Sequence, residues 1–134
     1  MHIVDQLLEN AAADLDLISK NRARGDTGST PRDIDFAIHS DSADQADVVR
    51  SFITDNHYGN ASVQEVRLDD GRTIWRVGVI IHAPPTEHVA CSLSGLMVCI
   101  AHLFESEYVG WGCTLEAGGA GTRLTRHCTG RAGQ

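Results

Sequence analysis

The hydrophobic pattern of this chain predicts an α+β domain, with a ferredoxin-like β-α-β-β-α-β antiparallel sheet and an extra N-terminal helix. Segments with apolar residues every third or fourth position alternate with segments in which every second residue is apolar. An Asp-Asp-Gly turn joins two neighbouring strand-like segments, as in a hairpin. With 134 residues, 42% of them hydrophobic, one domain can bury a core without metals or disulfides.

The N-terminal segment predicts an amphipathic helix that ends near Lys20. Its acids, Asp14 among them, lie off the apolar stripe on the helical wheel. Residues 22–32 then carry the glycines, hydroxyl residues and proline of a surface loop. Because the helix has a single apolar stripe, we expect it to dock on the rest of the domain. That stripe consists of Ile3, Leu7, Ala11, Leu15 and Ile18.

Three strands and one helix follow the loop. Residues 33–39 alternate between apolar and polar and predict a half-buried strand. A second helix is expected over about residues 42–56, because Ser42 and a glutamine three positions later fit a capping box. Residues 61–68 and 73–82 predict the two strands of the hairpin.

The last two elements complete the β-α-β-β-α-β order. A wide apolar stripe predicts a third helix from about Thr86 to Glu105, and residues 107–116 predict the final strand. Right-handed crossovers between these elements give the strand order 4-1-3-2, with every pair of neighbours antiparallel.

The charge distribution divides the chain near Glu116. All 18 acids lie at or before this residue with 8 of the 11 basic residues, so the body carries 8 − 18 = −10 and the remainder +3. We therefore expect a single domain over residues 1–116 and a flexible tail rich in glycine and arginine over residues 117–134. An acidic body repels phosphate backbones, which disfavours duplex nucleic acid and favours basic protein partners.

The lack of a targeting signal and of CxxC cysteine motifs predicts a cytoplasmic protein. The first residues carry acid instead of a basic leader, and no apolar run approaches the roughly 20 residues of a membrane span. The four cysteines lack CxxC spacing, so we expect reduced thiols.

Tyr108 and Trp111 are the large aromatic residues of the last strand. Residues three apart on a regular strand face opposite sides of the sheet, so one ring should be exposed unless a bulge at Gly110 redirects it. Two interpretations are open. The rings fill the core, or they anchor a protein partner.

The run from Leu103 to Cys113 resembles the end of the domain in the regulator of ribonuclease activity B family, also called ribonuclease E inhibitor B. It contains Glu107-Tyr108-Val109-Gly110-Trp111-Gly112, similar to the family's E-Y-x-G-W-G run, with Val109 where an aspartate is typical. The likeness covers about Leu7 to Glu116. It implies a regulator without catalysis or cofactor that inhibits ribonuclease E, the endonuclease of bacterial messenger RNA decay, by protein contact. Family members tend to end in an acidic extension, whereas this chain ends in a basic one.

Candidate partner-binding residues combine charge and aromatic area. Three acids near the start of the second helix suit a basic partner, although a solvated helix face, favoured by the helix dipole, is the simpler explanation. No residue set predicts a catalytic centre, a cofactor site or a metal site in preference to these. The candidates are Asp41, Asp44, Asp47, Tyr108 and Trp111.

The third helix supports an alternative function, because His88, Cys91, Cys99 and His102 project from one side of it. Their spacing suits a soft metal, and the alternative is a small metal-binding protein or enzyme. Since this face is uncharged, packing of these residues and Gly95 against the N-terminal helix or a second copy of the chain explains it as well. An RNA-binding module is a third hypothesis, disfavoured by the acidic body and by a sheet without an RNP signature.

Overall fold

The computed structural model describes residues 2–117 and 122–127, with side chains up to Leu115. It confirms the predicted α+β fold with an extra N-terminal helix. The sheet has the order β2-β3-β1-β4-β5 with antiparallel neighbours, which confirms the predicted order 4-1-3-2 for the first four strands. The elements are α1 Ile3–Ala23, β1 Arg32–Ser40, α2 Ala43–Asp55, β2 Asn60–Arg67, β3 Thr73–Ala83, α3 Glu87–Leu103, β4 Glu107–Ala117 and β5 Thr122–His127.

Strand β5 lies within the range that the charge pattern assigns to a tail. It pairs antiparallel with β4, from Thr114 opposite His127 to Ala117 opposite Thr122. The sequence gives little sign of a strand here, because Leu124 is the one apolar residue of Thr122–His127. The domain boundary at residue 116 stays a prediction.

One face of the sheet carries the core. Alternate residues of β1 point to that face, and Ile34, Phe36 and Ile38 expose at most 1% of their surface. Val77 and Val79 of β3 lie opposite Ile38 and Phe36 and are equally buried. Helices α2 and α3 pack on this face, and α1 packs mainly on α3. The predicted docking of α1 is therefore confirmed.

The loop from α1 to β1 is held by a buried ion pair. The Arg32 guanidinium donates to both carboxylate oxygens of Asp26 and, at 3.0 Å, to the carbonyl oxygen of Thr114 in β4. Gly28 has a φ of +76°, and a Cβ there would lie 2.5 Å from the Pro85 carbonyl oxygen. These contacts tie the loop that follows α1 to β4 and to the segment just before α3.

Among the described residues, no helix combines the length and the apolar content needed to cross a membrane.

Candidate functional site

The inner face of α1 is polar where it meets the rest of the protein. Asn10, Asp14 and Asn21 each expose 7% of their surface or less, whereas Leu15 of the predicted apolar stripe is 43% exposed. The prediction that Asp14 lies off the packed face of α1 is therefore wrong. The helix is rotated so that Asp14 and Leu17 both point inward. The spacing of the three polar residues, four and seven apart, follows one side of a helix and was the available signal.

A β-bulge sets the direction of both aromatic rings of β4. Ile38 of β1 pairs with Tyr108 and Ala37 pairs with Gly110, so Val109 is an extra residue in the ladder. Gly110 has a φ of +146°, which a side chain at that position would resist. Because the bulge shifts the alternation by one residue, Tyr108 and Trp111 both lie on the helix side of the sheet, with exposures of 4% and 2%.

Five buried polar side chains meet where α1, α3 and β4 come together. Asn10 Nδ2 donates to Asp14 Oδ2 at 3.2 Å and to Ser94 Oγ at 2.7 Å. The Ser94 hydroxyl also lies 2.9 Å from the Tyr108 hydroxyl, and Trp111 Nε1 donates to Asp14 Oδ1 at 2.9 Å. We call Asn10, Asp14, Ser94, Tyr108 and Trp111 the buried polar cluster. It joins an N-terminal helix to a strand almost a hundred residues later, with each member hydrogen-bonded.

A cleft of about 320 Å³ opens beside this cluster, between α1, α3 and the start of β4. Asn10 and Tyr108 belong to both the cluster and the cleft wall. The remaining lining combines small apolar side chains with polar and acidic ones. It consists of Gln6, Glu9, Ala13, Val98, Ala101, Ser106 and Glu107.

The family model described as Regulator of ribonuclease activity B matches residues 11–113. The chain belongs to this family. The match confirms the resemblance drawn from the Glu107 to Gly112 run, and it includes Asp14, Ser94, Tyr108 and Trp111 of the buried polar cluster. A search of curated proteins found no match to the chain.

Membership in the regulator of ribonuclease activity B family implies a role in regulating ribonuclease activity, and hence a protein partner. The geometry is consistent with a binding role. Tyr108 and Trp111 of the family motif hydrogen-bond to Ser94 of α3 and Asp14 of α1, and Tyr108 also lines the cleft. That Tyr108 and Trp111 anchor a protein partner stays a prediction.

The predicted acidic residues lie on the surface at the start of α2. Asp41, Asp44 and Asp47 are exposed, and Asp47 pairs with Arg50 at 2.7 Å. Ser42 caps the helix by accepting from the Gln45 backbone N–H at 3.1 Å, as predicted. The fold does not bring these acids together with the rings of Tyr108 and Trp111, which are buried.

The acids nevertheless lie at the same end of the sheet as the cleft. The hydroxyls of Ser40 and Ser106 are 2.7 Å apart, and Ser40 directly precedes Asp41 while Ser106 lines the cleft. Gln45 Nε2 donates to the carbonyl oxygen of Phe104, which ties the start of α2 to the end of α3.

The His/Cys side of α3 does not form one packed face. His88, Cys99 and His102 are exposed, so the prediction that these three residues pack against α1 is wrong, whereas packing against a second copy of the chain stays a prediction. Helix α1 covers a narrower strip, in which a Cβ on Gly95 would lie 3.8 Å from Leu7 Cδ2. Among the described residues, no group of three or more His, Cys, Asp or Glu side chains is placed to hold a metal ion.

Cys91, the half-buried cysteine of this side, is not activated. Burial raises the pKa of its thiol, and the negative charges of Asp14 and Glu87 raise it further. A protonated thiol is a poor nucleophile and a poor metal ligand. This observation weighs against the alternative function on α3.

Asp14 supplies the carboxyl group of the buried polar cluster. Burial raises the pKa of its carboxyl, and hydrogen bonds from Trp111 and Ser94 oppose that rise. The native state therefore favours the neutral acid more than the unfolded chain does.

We expect Asp14→Asn to flatten the dependence of stability on pH. Because folding raises the pKa of Asp14, this carboxyl stabilises the native state fully below its unfolded pKa, near 3.8. That stabilisation is lost as the pH rises through the folded pKa. The free energy of unfolding of the native protein should therefore fall across this range relative to Asp14→Asn, as measured by urea denaturation. Asp16→Asn, at an exposed position of the same helix, is the control. Parallel pH profiles for the native protein and Asp14→Asn would contradict the assignment.

Proposed function

We propose that this protein binds an endoribonuclease of the ribonuclease E type and inhibits it by direct contact, without catalysing a reaction. The observation that carries the proposal is the acidic start of α2, where Asp41, Asp44 and Asp47 are exposed at the end of the sheet at which Ser106 lines the cleft, in a chain whose family regulates ribonuclease activity. An enzyme that cleaves RNA binds phosphates with basic surfaces, and such surfaces are the natural complement of these acids. Such a partner would place the protein in the cytoplasm.

Electrostatics supports encounter with a basic partner. The body up to Glu116 carries a net charge of 8 − 18 = −10, which attracts a basic partner at long range. Asp41 and Asp44 are in no salt bridge within the described part of the chain, and Asp47 shares its charge with Arg50. Exposed carboxylates of this kind influence association rate more than they influence dissociation.

We expect the purified protein to slow RNA cleavage by a ribonuclease E-type enzyme in a titration, with weaker inhibition at physiological than at low salt. The Debye screening length is only about 8 Å at physiological salt, which weakens the electrostatic attraction that guides the two proteins together. Replacing Asp41, Asp44 and Asp47 with lysine should slow association roughly tenfold or more at low salt and change dissociation less. The readouts are cleavage rate and association kinetics.

The matched control reverses three exposed acids elsewhere, Asp55, Glu65 and Asp69, with the same change in net charge. This variant should keep most of the association rate if the start of α2 is the contact. Unchanged cleavage at a large excess of protein, with no complex at low salt, would reject the proposal. Direct measurement of RNA binding by the protein alone excludes sequestration of the substrate.

A further inference from the structure

We propose that the cleft between α1, α3 and β4 receives an arginine side chain from the protein partner. This inference rests on the proposed function, because it assumes that the partner is a basic protein segment. It assigns to the cleft a recognition role distinct from the long-range steering by the acids of α2.

The size of the cleft suits one long side chain. Its volume of about 320 Å³ is at the lower end for ligand pockets, which are typically about 300–1,000 Å³. Ala13, Val98 and Ala101 supply apolar wall, against which the methylene stem of an arginine can pack. The cleft is therefore large enough for one side chain and unsuited to a large cofactor.

The charge of the lining selects a cation. Glu9 and Glu107 line the cleft and are exposed, and no lysine, arginine or histidine among the residues with described side chains lines it. Neither glutamate is in a salt bridge within the described part of the chain. An anion would meet two like charges there, whereas a guanidinium would gain charge-assisted hydrogen bonds.

The polar wall is fixed before any ligand arrives. Tyr108 is held by the Ser94 hydroxyl, and Asn10 donates through its Nδ2 to Asp14 and Ser94. The amide oxygen of Asn10 is not used by these bonds and adds an acceptor beside the carboxylates. A planar guanidinium with five N–H donors matches several separate acceptors better than a lysine ammonium does. Preorganised walls reduce the entropy lost on binding.

The binding test uses the full chain and a blocked tripeptide, acetyl-Gly-Arg-Gly-amide. We expect saturable shifts of the backbone amide signals of Ala13 and Tyr108 in an NMR titration. The same peptide with citrulline, which has the shape of arginine without its charge, should bind roughly tenfold more weakly or not at all. Equal shifts with both peptides would overturn the proposal.

Two kinds of variant test the cleft within the ribonuclease complex. Ala13→Leu fills the cleft without changing charge and should abolish the peptide shifts, while Ala12→Leu, at an exposed position of the same helix, should not. Glu9→Gln and Glu107→Gln should each weaken peptide and ribonuclease binding by roughly 3- to 10-fold. Glu65→Gln, on the far edge strand β2, is the charge control.

The outcomes separate this inference from the proposed function. If a ribonuclease complex forms and Ala13→Leu, Glu9→Gln and Glu107→Gln leave its affinity unchanged, the cleft proposal is overturned and the inhibitor proposal stands. If no ribonuclease complex forms, the inhibitor proposal falls, and the arginine and citrulline peptides alone decide whether the cleft binds the side chain. Because Glu9 and Glu107 are exposed, their variants keep the test valid even if Ala13→Leu perturbs folding.

Discussion

Replacing Trp111 with alanine is expected to lower the free energy of unfolding by about 3–5 kcal/mol. The side chain exposes 2% of its surface and is the largest among the fully buried residues of the described chain. Its removal leaves a large cavity between the sheet and the helices, and it also removes the hydrogen bond from Nε1 to Asp14. Urea denaturation followed by circular dichroism measures the loss.

Trp111→Phe separates packing from hydrogen bonding. It keeps most of the ring but removes the N–H donor, so we expect a loss of about 1–3 kcal/mol from the buried carboxylate left without this partner. The pKa of Asp14 should also rise further, because the Trp111 hydrogen bond lowers it in the native protein. A stability of Trp111→Ala within about 1 kcal/mol of the native protein would show that the ring is not a core residue.

Deleting the residues before Lys20 is expected to bring the protein to the limit of folding. Leu17 and Ile18 of α1 are buried, and burying two such side chains contributes about 3–6 kcal/mol. The deletion also removes Asn10 and Asp14, which leaves the Trp111 N–H without its acceptor. Since whole domains are stable by only about 5–15 kcal/mol, we expect a strongly lowered denaturation midpoint or an unfolded chain.

Point variants keep this prediction testable if the truncated chain does not fold. Leu17→Ala on the inner face of α1 should cost about 2–5 kcal/mol. Leu8→Ala, at a position that is 66% exposed, should change stability by less than about 0.5 kcal/mol. Equal effects of the two variants, or a truncated chain that denatures like the full one, would contradict the docking of α1.

The sequence by itself determined the three helices, the first four strands and their order. Apolar alternation in β1 and the Asp-Asp-Gly turn are local signals, and the turn forms as expected, with Gly71 at a φ of +89°. The helix cap at Ser42 is local as well. Right-handed crossovers then leave few ways to connect the elements, so the order of the first four strands followed without any knowledge of side-chain contacts.

Only the tertiary structure decided which polar residues are inside. The hydrophobic pattern of α1 predicts that Asp14 faces water, because burying a carboxylate is costly. In the folded protein that cost is offset by the hydrogen bond from Trp111, which lies 97 residues away in the sequence. One extra residue at Val109 likewise turned Tyr108 and Trp111 to the same side, an effect that period-two alternation cannot anticipate. Both of these long-range events occur where α1, α3 and β4 meet, beside the cleft.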